Sequence, residues 1–159
     1  MQIHDLSQSN SVLNHFISQI RDKSIQQDRM KFRRNIERIG EILTYEMSKT
    51  FHFFTQNIET PLATTTATLT NEDLVVCSIL RAGIPLHNGI LNYLDEADNA
   101  FVSAFRKLES NGKDFEIIVE YLSSPNLEGK TLILADPMLA TGRSMVNVHK
   151  ALKELGKPK

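Results

Sequence analysis

The nine residues Asp136–Ser144 carry the strongest chemical signal in this sequence. They follow Thr131–Ala135, an apolar run typical of a buried parallel strand, and a helical pattern then continues to about Leu155. A helix that begins after such a strand offers unpaired N–H groups and a partial positive charge. Thr141 and Ser144 add hydroxyl donors, and Gly142 lets the backbone approach a ligand closely. The segment is therefore predicted to be a phosphate-binding loop.

The acid that opens this loop, Asp136, indicates what kind of phosphate ligand the loop would bind. A carboxylate repels a bare anion but accepts hydrogen bonds from sugar hydroxyls, so a ligand with ribose and phosphate together suits both parts of the loop. The alternative is that Asp136 and Ser144 only cap a helix. Each residue alone favours that alternative, whereas the loop as a unit favours ligand binding. No Walker motif and no G-x-G-x-x-G is present, so neither a Walker loop nor dinucleotide binding is supported.

A second group of residues follows Leu74–Leu80, an apolar run that also predicts a buried strand. Arg81 at the end of this strand is expected to reach the same crevice, because a guanidinium group is well matched to phosphate. The small pair Ala82 and Gly83 lets the backbone fold close to an anion. The alternative for Arg81 is a surface arginine at a helix start. Arg106, in a basic pair at the end of a further predicted strand, by itself favours a solvated turn.

The elements that must hold these loops form an α/β pattern. Residues 1–50 are predicted to be a helical arm, with one helix capped by Ser9 or Asn10 and a second from about Gln27 to Ser48. The second helix has a predicted apolar stripe of Met30, Ile36, Ile39, Leu43 and Met47. Residues 51–159 are predicted to be the α/β core, with strands at 62–69, 74–80, 100–105, 115–121 and 131–135. A helix is predicted from the end of the second strand to about Tyr93.

This pattern predicts one domain over residues 1–159, with a largely parallel sheet flanked by helices. The polar residues 110–113 predict the turn of a hairpin that projects from the sheet, over about residues 105–121.

Composition excludes several classes of function. The net charge is −1, so no overall field attracts nucleic acid or anionic membranes, and neither is expected as a partner. Cys77 is the single cysteine, which excludes an internal disulfide and a cysteine-rich zinc site and suits a reducing cytoplasm. No segment has the length of a membrane span, and the N-terminus does not resemble a signal peptide. A cytoplasmic protein is therefore expected.

The two loops together resemble the uracil phosphoribosyltransferases, a family of type I phosphoribosyltransferases. The resemblance lies in Ile79–Gly83 and in Asp136–Gly142, where Pro137 after the acid is typical of the uracil branch. Residues Arg29–Gly40 also resemble the N-terminal helix of that family. The resemblance implies a phosphoribosyltransferase-type, Rossmann-like fold and an activity that converts uracil and 5-phosphoribosyl 1-pyrophosphate (PRPP) to UMP and pyrophosphate. It also implies Mg²⁺ carried on the pyrophosphate of the donor, and a homodimer or higher homo-oligomer.

The resemblance assigns roles to the site residues. It implies that Thr141–Ser144 hold the 5′-phosphate and that Asp136 holds the ribose hydroxyls. Arg81, with Ala82 and Gly83, would hold pyrophosphate, and Arg106 would reach it from the hairpin, which would act as a flap. Arg81, Arg106 and Asp136 are the expected catalytic residues. The whole expected binding loop is Asp136, Pro137, Met138, Leu139, Ala140, Thr141, Gly142, Arg143 and Ser144.

The sequence departs from the family pattern at three points. Arg143 stands where a glycine is usual, and it would be strained if the loop needs a positive φ there. Residues 107–113 replace an acidic stretch. The family's C-terminal Gly-Leu-Gly-Asp-Ala loop, which reads uracil, has no counterpart before Lys159, so the chain is expected to lack that segment. Two alternatives therefore stay open: a non-catalytic nucleotide sensor or RNA-binding regulator with this fold, and an inactive fragment.

Overall fold

The computed structural model describes the backbone of residues 2–108 and 115–159, and the side chains of residues 2–103 and 120–159. The N-terminal arm begins with a 3₁₀ turn, Leu6–Gln8, followed by helix α1, Val12–Arg21, and helix α2, Arg29–Ser48. The predicted caps were wrong for α1: Ser11, not Ser9 or Asn10, accepts from the N–H of Leu13. Its extended backbone turns the hydroxyl toward the free donors of the first turn. Helix α2 is capped by Asp28 and so begins two residues later than predicted.

The buried face of α2 differs from the predicted apolar stripe. Met30 is 71% exposed and Leu43 is 39% exposed. Ile36 is buried as predicted, and Asn35, Gly40 and Thr44, which were outside the predicted stripe, are buried with it. The reason is helix α3, Ile84–Leu91, which lies so close that a Cβ on Gly40 would be 2.6 Å from the carbonyl oxygen of Leu86. Small residues, rather than large apolar ones, allow this contact between the two helix backbones.

Strands β1, Phe53–Glu59, and β2, Thr64–Thr70, form a two-stranded antiparallel ribbon outside the main sheet. The prediction contained β2, at 62–69, but not β1. Both strands are exposed along their length, apart from the half-buried Ala67. A strand exposed on both faces has no apolar alternation, which is why β1 gave no signal.

The main sheet has the strand order β5-β4-β3-β6. Strand β3, Leu74–Leu80, and strand β6, Thr131–Ala135, have the predicted bounds. Strand β4, Asp98–Leu108, and strand β5, Phe115–Ser123, are longer than predicted. Strands β4 and β6 pair parallel with β3, and β5 pairs antiparallel with β4. The predicted turn at 110–113 lies outside the described residues.

Helices cover both faces of the sheet. One core packs Val75, Cys77 and Ile79 of β3 against helix α4, Arg143–Leu152, and the other packs Val76 against α2 and α3. The predicted helices extend too far: α3 ends at Leu91, and α4 gives way to a 3₁₀ turn at Lys153–Leu155. The predicted α/β fold, with a largely parallel sheet, flanking helices and an antiparallel hairpin, is confirmed. Within the described part of the chain, no helix has the length and hydrophobicity of a membrane span.

Candidate functional site

The loop between β6 and α4 has the geometry of an anion cradle. The N-cap of α4 is Gly142, whose φ of 73° lies in the left-handed region that favours glycine. No side chain of the described residues caps the helix, so its first N–H groups face the loop without a side-chain acceptor. The loop encloses a cavity of about 30 Å³, the size of one small polar group. Its lining comes from Asp136, Met138, Leu139, Ala140, Thr141, Gly142, Ser144 and Met145.

Neither Asp136 nor Ser144 caps α4, which answers the alternative that the loop is only a helix cap. Asp136 is half-buried, and its Oδ1 accepts from the backbone N–H of Met138 at 3.2 Å, which orients the carboxylate within the loop. Ser144 is inside the first turn rather than before it. Both residues line the cavity of the loop, and Met138 and Leu139 are each 72% exposed at its rim.

Arg143 fits the loop without strain. It is the first residue of α4, and in the described part of the chain no residue other than glycine has a positive φ. The positive φ belongs to Gly142 alone in this loop. Arg143 is exposed, so its side chain leaves the backbone N–H groups accessible.

The loop after β3 lies directly against the end of β6. A Cβ on Gly83 would be 2.6 Å from the carbonyl oxygen of Ala135, 2.6 Å from Ser78 Oγ and 2.7 Å from the carbonyl oxygen of Ile79. Ala135 is the residue before Asp136, so the two loops meet at one edge of the sheet. Arg81 is exposed on this edge and forms no ion pair with any residue of the described part. Its guanidinium group is therefore free for an anionic ligand.

The hairpin of β4 and β5 extends beyond the same edge. Strand β4 pairs with β3 up to Ser103, opposite Leu80, and then continues with β5 alone. Arg106 is in this continuation, opposite Ile117. The side chain of Arg106 and the tip of the predicted flap lie outside the described residues.

Two features next to this edge lie outside the predicted site residues. Ser78 and His87 are buried, and Ser78 Oγ and His87 Nδ1 have no hydrogen-bond partner among the described residues. The only available signal was a polar residue inside an otherwise apolar strand or helix. A second feature is an apolar cavity of about 390 Å³ that reaches Asp136 and is lined largely by α2, α3 and β6. Its lining residues are far apart in the sequence, so no local pattern indicated it.

The chemical groups at this edge favour an anionic ligand that also carries hydroxyl groups. The free N–H groups of α4 and the guanidinium of Arg81 favour negative charge, and Asp136 accepts hydrogen bonds from hydroxyls. Within the described residues no group of three or more His, Cys, Asp or Glu side chains could hold a metal ion.

Comparison with known proteins agrees with this geometry. The family model for uracil phosphoribosyltransferase matches residues 7–159. A uracil phosphoribosyltransferase from Porphyromonas gingivalis is 46% identical over 159 residues, which are 100% of this chain and 73% of that protein. One from Methanothermobacter thermautotrophicus is 34% identical over 151 residues, which are 94% of this chain and 68% of that protein.

Solved structures support the same fold. A protein from Aquifex aeolicus superposes with a TM-score of 0.75 and 29% identity over 92% of this chain and 67% of its own. A hypoxanthine phosphoribosyltransferase from Staphylococcus aureus has a TM-score of 0.53 and 16% identity, over 76% of this chain and 56% of its own, and shows the fold alone. Together with the match over nearly the whole chain, these findings establish that the chain belongs to the uracil phosphoribosyltransferase family.

Proposed function

We propose that this protein is a pentosyltransferase that transfers the 5-phosphoribosyl group of PRPP to N1 of uracil, a reaction of pyrimidine salvage. The observation that carries the proposal is the contact between the two loops: Gly83 packs against Ala135, so the Arg81 loop and the Asp136 loop border one crevice. One loop offers a guanidinium group, and the other offers helix N–H groups and a carboxylate. PRPP carries a pyrophosphate, a ribose and a 5′-phosphate in this order.

The 5′-phosphate would bind in the cradle of Thr141–Ser144. The cavity there has room for one phosphate oxygen or a similar group, at about 30 Å³. Ser144 and Met145, in the first turn of α4, line this cavity, and the helix dipole would favour the charge of the phosphate. The remaining loop residues, Pro137–Ala140, would hold these donors in place around the phosphate.

Asp136 would accept from the ribose hydroxyls, and Arg81 would bind the pyrophosphate, with Ala82 and Gly83 allowing its close approach. Arg106 would reach the pyrophosphate from the hairpin. In the reaction the bond from C1 of the ribose to the pyrophosphate oxygen breaks, and the leaving group takes the electron pair. The sugar gains positive charge, and N1 of uracil forms the new bond and loses its proton. The two arginines would stabilise the charge that develops on pyrophosphate, so positioning and electrostatics supply the catalysis.

Mg²⁺ is the proposed cofactor, carried by the donor. Among the described residues that line the loop cavity, Asp136 supplies the carboxylate, which fits an ion whose other ligands are phosphate oxygens and water. When bound, Mg²⁺ would neutralise charge on the pyrophosphate. The proposed location is the cytoplasm, supported by the single, buried cysteine.

We further propose that the active form is a homodimer or higher homo-oligomer, with the ribbon β1–β2 covered by a second copy of the chain. An isolated two-stranded ribbon is marginally stable in water. This one exposes large apolar side chains that a second copy would bury: Phe53, Phe54, Ile58, Leu62 and Leu69. Light scattering after gel filtration tests this. A dimer mass that falls to the monomer mass in Phe54→Ser supports it, and a monomeric parent contradicts it.

The test of the function is calorimetric titration of the chain with PRPP and Mg²⁺, followed by an assay for UMP formed from uracil. We expect Asp136→Asn and Arg81→Ala each to weaken PRPP binding about tenfold or more, the effect of losing a hydrogen bond to a charged group. Matched controls are Asp95→Asn and Arg33→Ala, both exposed and outside the crevice edge. Equal losses in the controls would contradict the proposed site. PRPP binding without UMP formation would contradict the catalytic assignment.

A further inference from the structure

His87 is a residue of α3, one turn beyond the Arg81–Gly83 loop, and its side chain is buried against β4. It is 2% exposed. Its Nε2 lies 2.7 Å from Asn99 Oδ1, and its ring packs on Phe101 with centroids 5.1 Å apart. Asn99 and Phe101 are both on β4, the strand whose continuation carries Arg106. The imidazole therefore links the first turn of α3 to that strand.

The partners of the imidazole determine where its proton is. Asn99 Oδ1 can only accept, and the Asn99 amide is oriented by donation from Nδ2 to the carbonyl oxygen of Ala97 at 3.5 Å. With the amide in this orientation Nε2 carries the hydrogen, which leaves Nδ1 without one in the neutral ring. Nδ1 is buried and has no partner among the described residues. A proton added there would create a buried charge with no acceptor beside it.

The first turn of α3, which contains His87, also holds the Arg81–Gly83 loop. The backbone N–H of His87 donates to the carbonyl oxygen of Gly83 at 2.9 Å, and Gly83 in turn packs on Ser78 and Ala135. Two anchors therefore fix the loop: Gly83 on β3 and β6, and His87 on β4. Loss of the second anchor would let the first turn of α3 move and carry Arg81 with it.

We propose that His87 is a positioning residue: its neutral imidazole holds the Arg81–Gly83 loop in place for the pyrophosphate of PRPP, and its protonation releases that loop, so that PRPP binds more weakly in acid. This inference rests on the proposed function, because it concerns the same loop and donor. His87 itself does not contact the ligand. It acts through the backbone of α3 and through Asn99.

Charges near His87 do not favour its protonated form. Burial lowers the pKa of His87 below its ordinary 6.5, with an opposing contribution from Asn99. On α2, Glu37 and Glu41 accept from Asn92 at the far end of α3. On β4, Asp98 pairs with Lys130. The ionisable side chain of β3 is Cys77, which lies on the opposite face of the sheet. Helix α3 has no ionisable side chain other than His87. The ring is thus neutral at pH 7, and its pKa lies below the ordinary 6.5.

The experiment measures the Kd for PRPP with Mg²⁺ by calorimetry from pH 5 to pH 8.5, in the parent and in two variants. His87→Gln keeps an N–H donor for Asn99 but does not titrate. Asn99→Asp gives the protonated imidazole a carboxylate partner at an exposed position. We expect the parent to lose about three- to tenfold more affinity between pH 8 and the acid end than either variant, the effect of one hydrogen bond. The phosphates of PRPP titrate equally in all three and cancel.

The outcomes separate this inference from the proposed function. Binding at pH 8 with the same pH dependence in all three proteins would overturn the role of His87 and leave the donor site intact. No binding by the folded parent at pH 8 would overturn both. Thermal unfolding at pH 8 identifies a variant that fails to fold, and the other variant then decides the comparison.

Discussion

Replacement of Gly83 by alanine tests the contact on which the whole site depends. The backbone of Gly83 is helical, with φ −69° and ψ −18°, so alanine is allowed there by conformation. The alanine side chain is excluded by steric overlap with its neighbours. The new Cβ would lie 2.6 Å from the carbonyl oxygen of Ala135 and 2.7 Å from that of Ile79, where ordinary contact begins at 3.4 Å. These two obstacles are backbone carbonyl oxygens near the carboxyl ends of β6 and β3, so the loop itself must move.

The size of that movement sets the expected effect. Relief of the contacts requires a shift of about 0.8 Å, close to the displacement of about 1 Å that can cost a site about 100-fold in function. We therefore expect Gly83→Ala to bind PRPP about 10- to 100-fold more weakly. Overpacking of this kind destabilises a protein by about 1–3 kcal/mol. For a chain of this size each kcal/mol lowers Tm by about 2–4 °C.

The assay is calorimetric titration with PRPP and Mg²⁺ at a temperature at which the variant is fully folded, together with thermal unfolding. Gly129→Ala is the matched control. Gly129 has φ 70° and nothing within 4 Å of its would-be Cβ, so alanine there adds backbone strain of about 1–2 kcal/mol without moving the crevice. Both variants should lose stability, and only Gly83→Ala should lose affinity. Parent-like affinity in Gly83→Ala, or equal losses in both, would refute the argument that this contact sets the site.

Three further predictions concern residues outside this contact. Gly142→Ala should lower the free energy of unfolding by about 1–2 kcal/mol, and Gly142→Asn by less, because asparagine tolerates a left-handed φ; urea denaturation measures both. Hydrogen bonds from the backbone and ring of His52 lower the pKa of Glu72, so its stabilisation is complete above its ordinary value of 4.5 and is lost as pH falls through the lowered pKa. Glu72→Gln should accordingly lower Tm at pH 7, and the difference from the parent should close toward pH 3; a constant difference would argue against the ionised pair. Burial raises the pKa of the Cys77 thiol to about 12, so a thiol reagent at pH 8 should label the native protein only as fast as it unfolds.

The local sequence pattern was sufficient to predict the bounds of the strands that pack in the core. Strands β3 and β6 have the predicted bounds because their apolar runs end abruptly at Arg81 and Asp136. The same abrupt ends identified both loops of the crevice. The sequence predicted a loop at 136–144 with a helix after it, whereas the left-handed φ of Gly142 and the start of α4 at Arg143 were found only in the structure.

Contacts between segments far apart in the chain were not indicated by any local sequence pattern. The face of α2 that is buried depends on how closely α3 approaches it. Gly40 is needed at this contact because Leu86 lies beside it, and the sequence around Gly40 does not indicate that neighbour. Strand β1 owes its extended form to pairing with β2 rather than to burial.

What the sequence by itself determined is therefore the identity of the chemical groups: the cradle residues, Asp136 and Arg81 are recognisable by type and order along the chain. What only the tertiary structure decided is that the two loops meet at one edge of the sheet, where Gly83 packs on Ala135 and Ser78. Parallel strands align their carboxyl ends, which made the shared edge an expectation. Gly83 and Ala135, which are in close contact, are 52 positions apart in the sequence. His87 and Asn99, which are joined by a hydrogen bond, are 12 positions apart. Only tertiary packing brings such residues together.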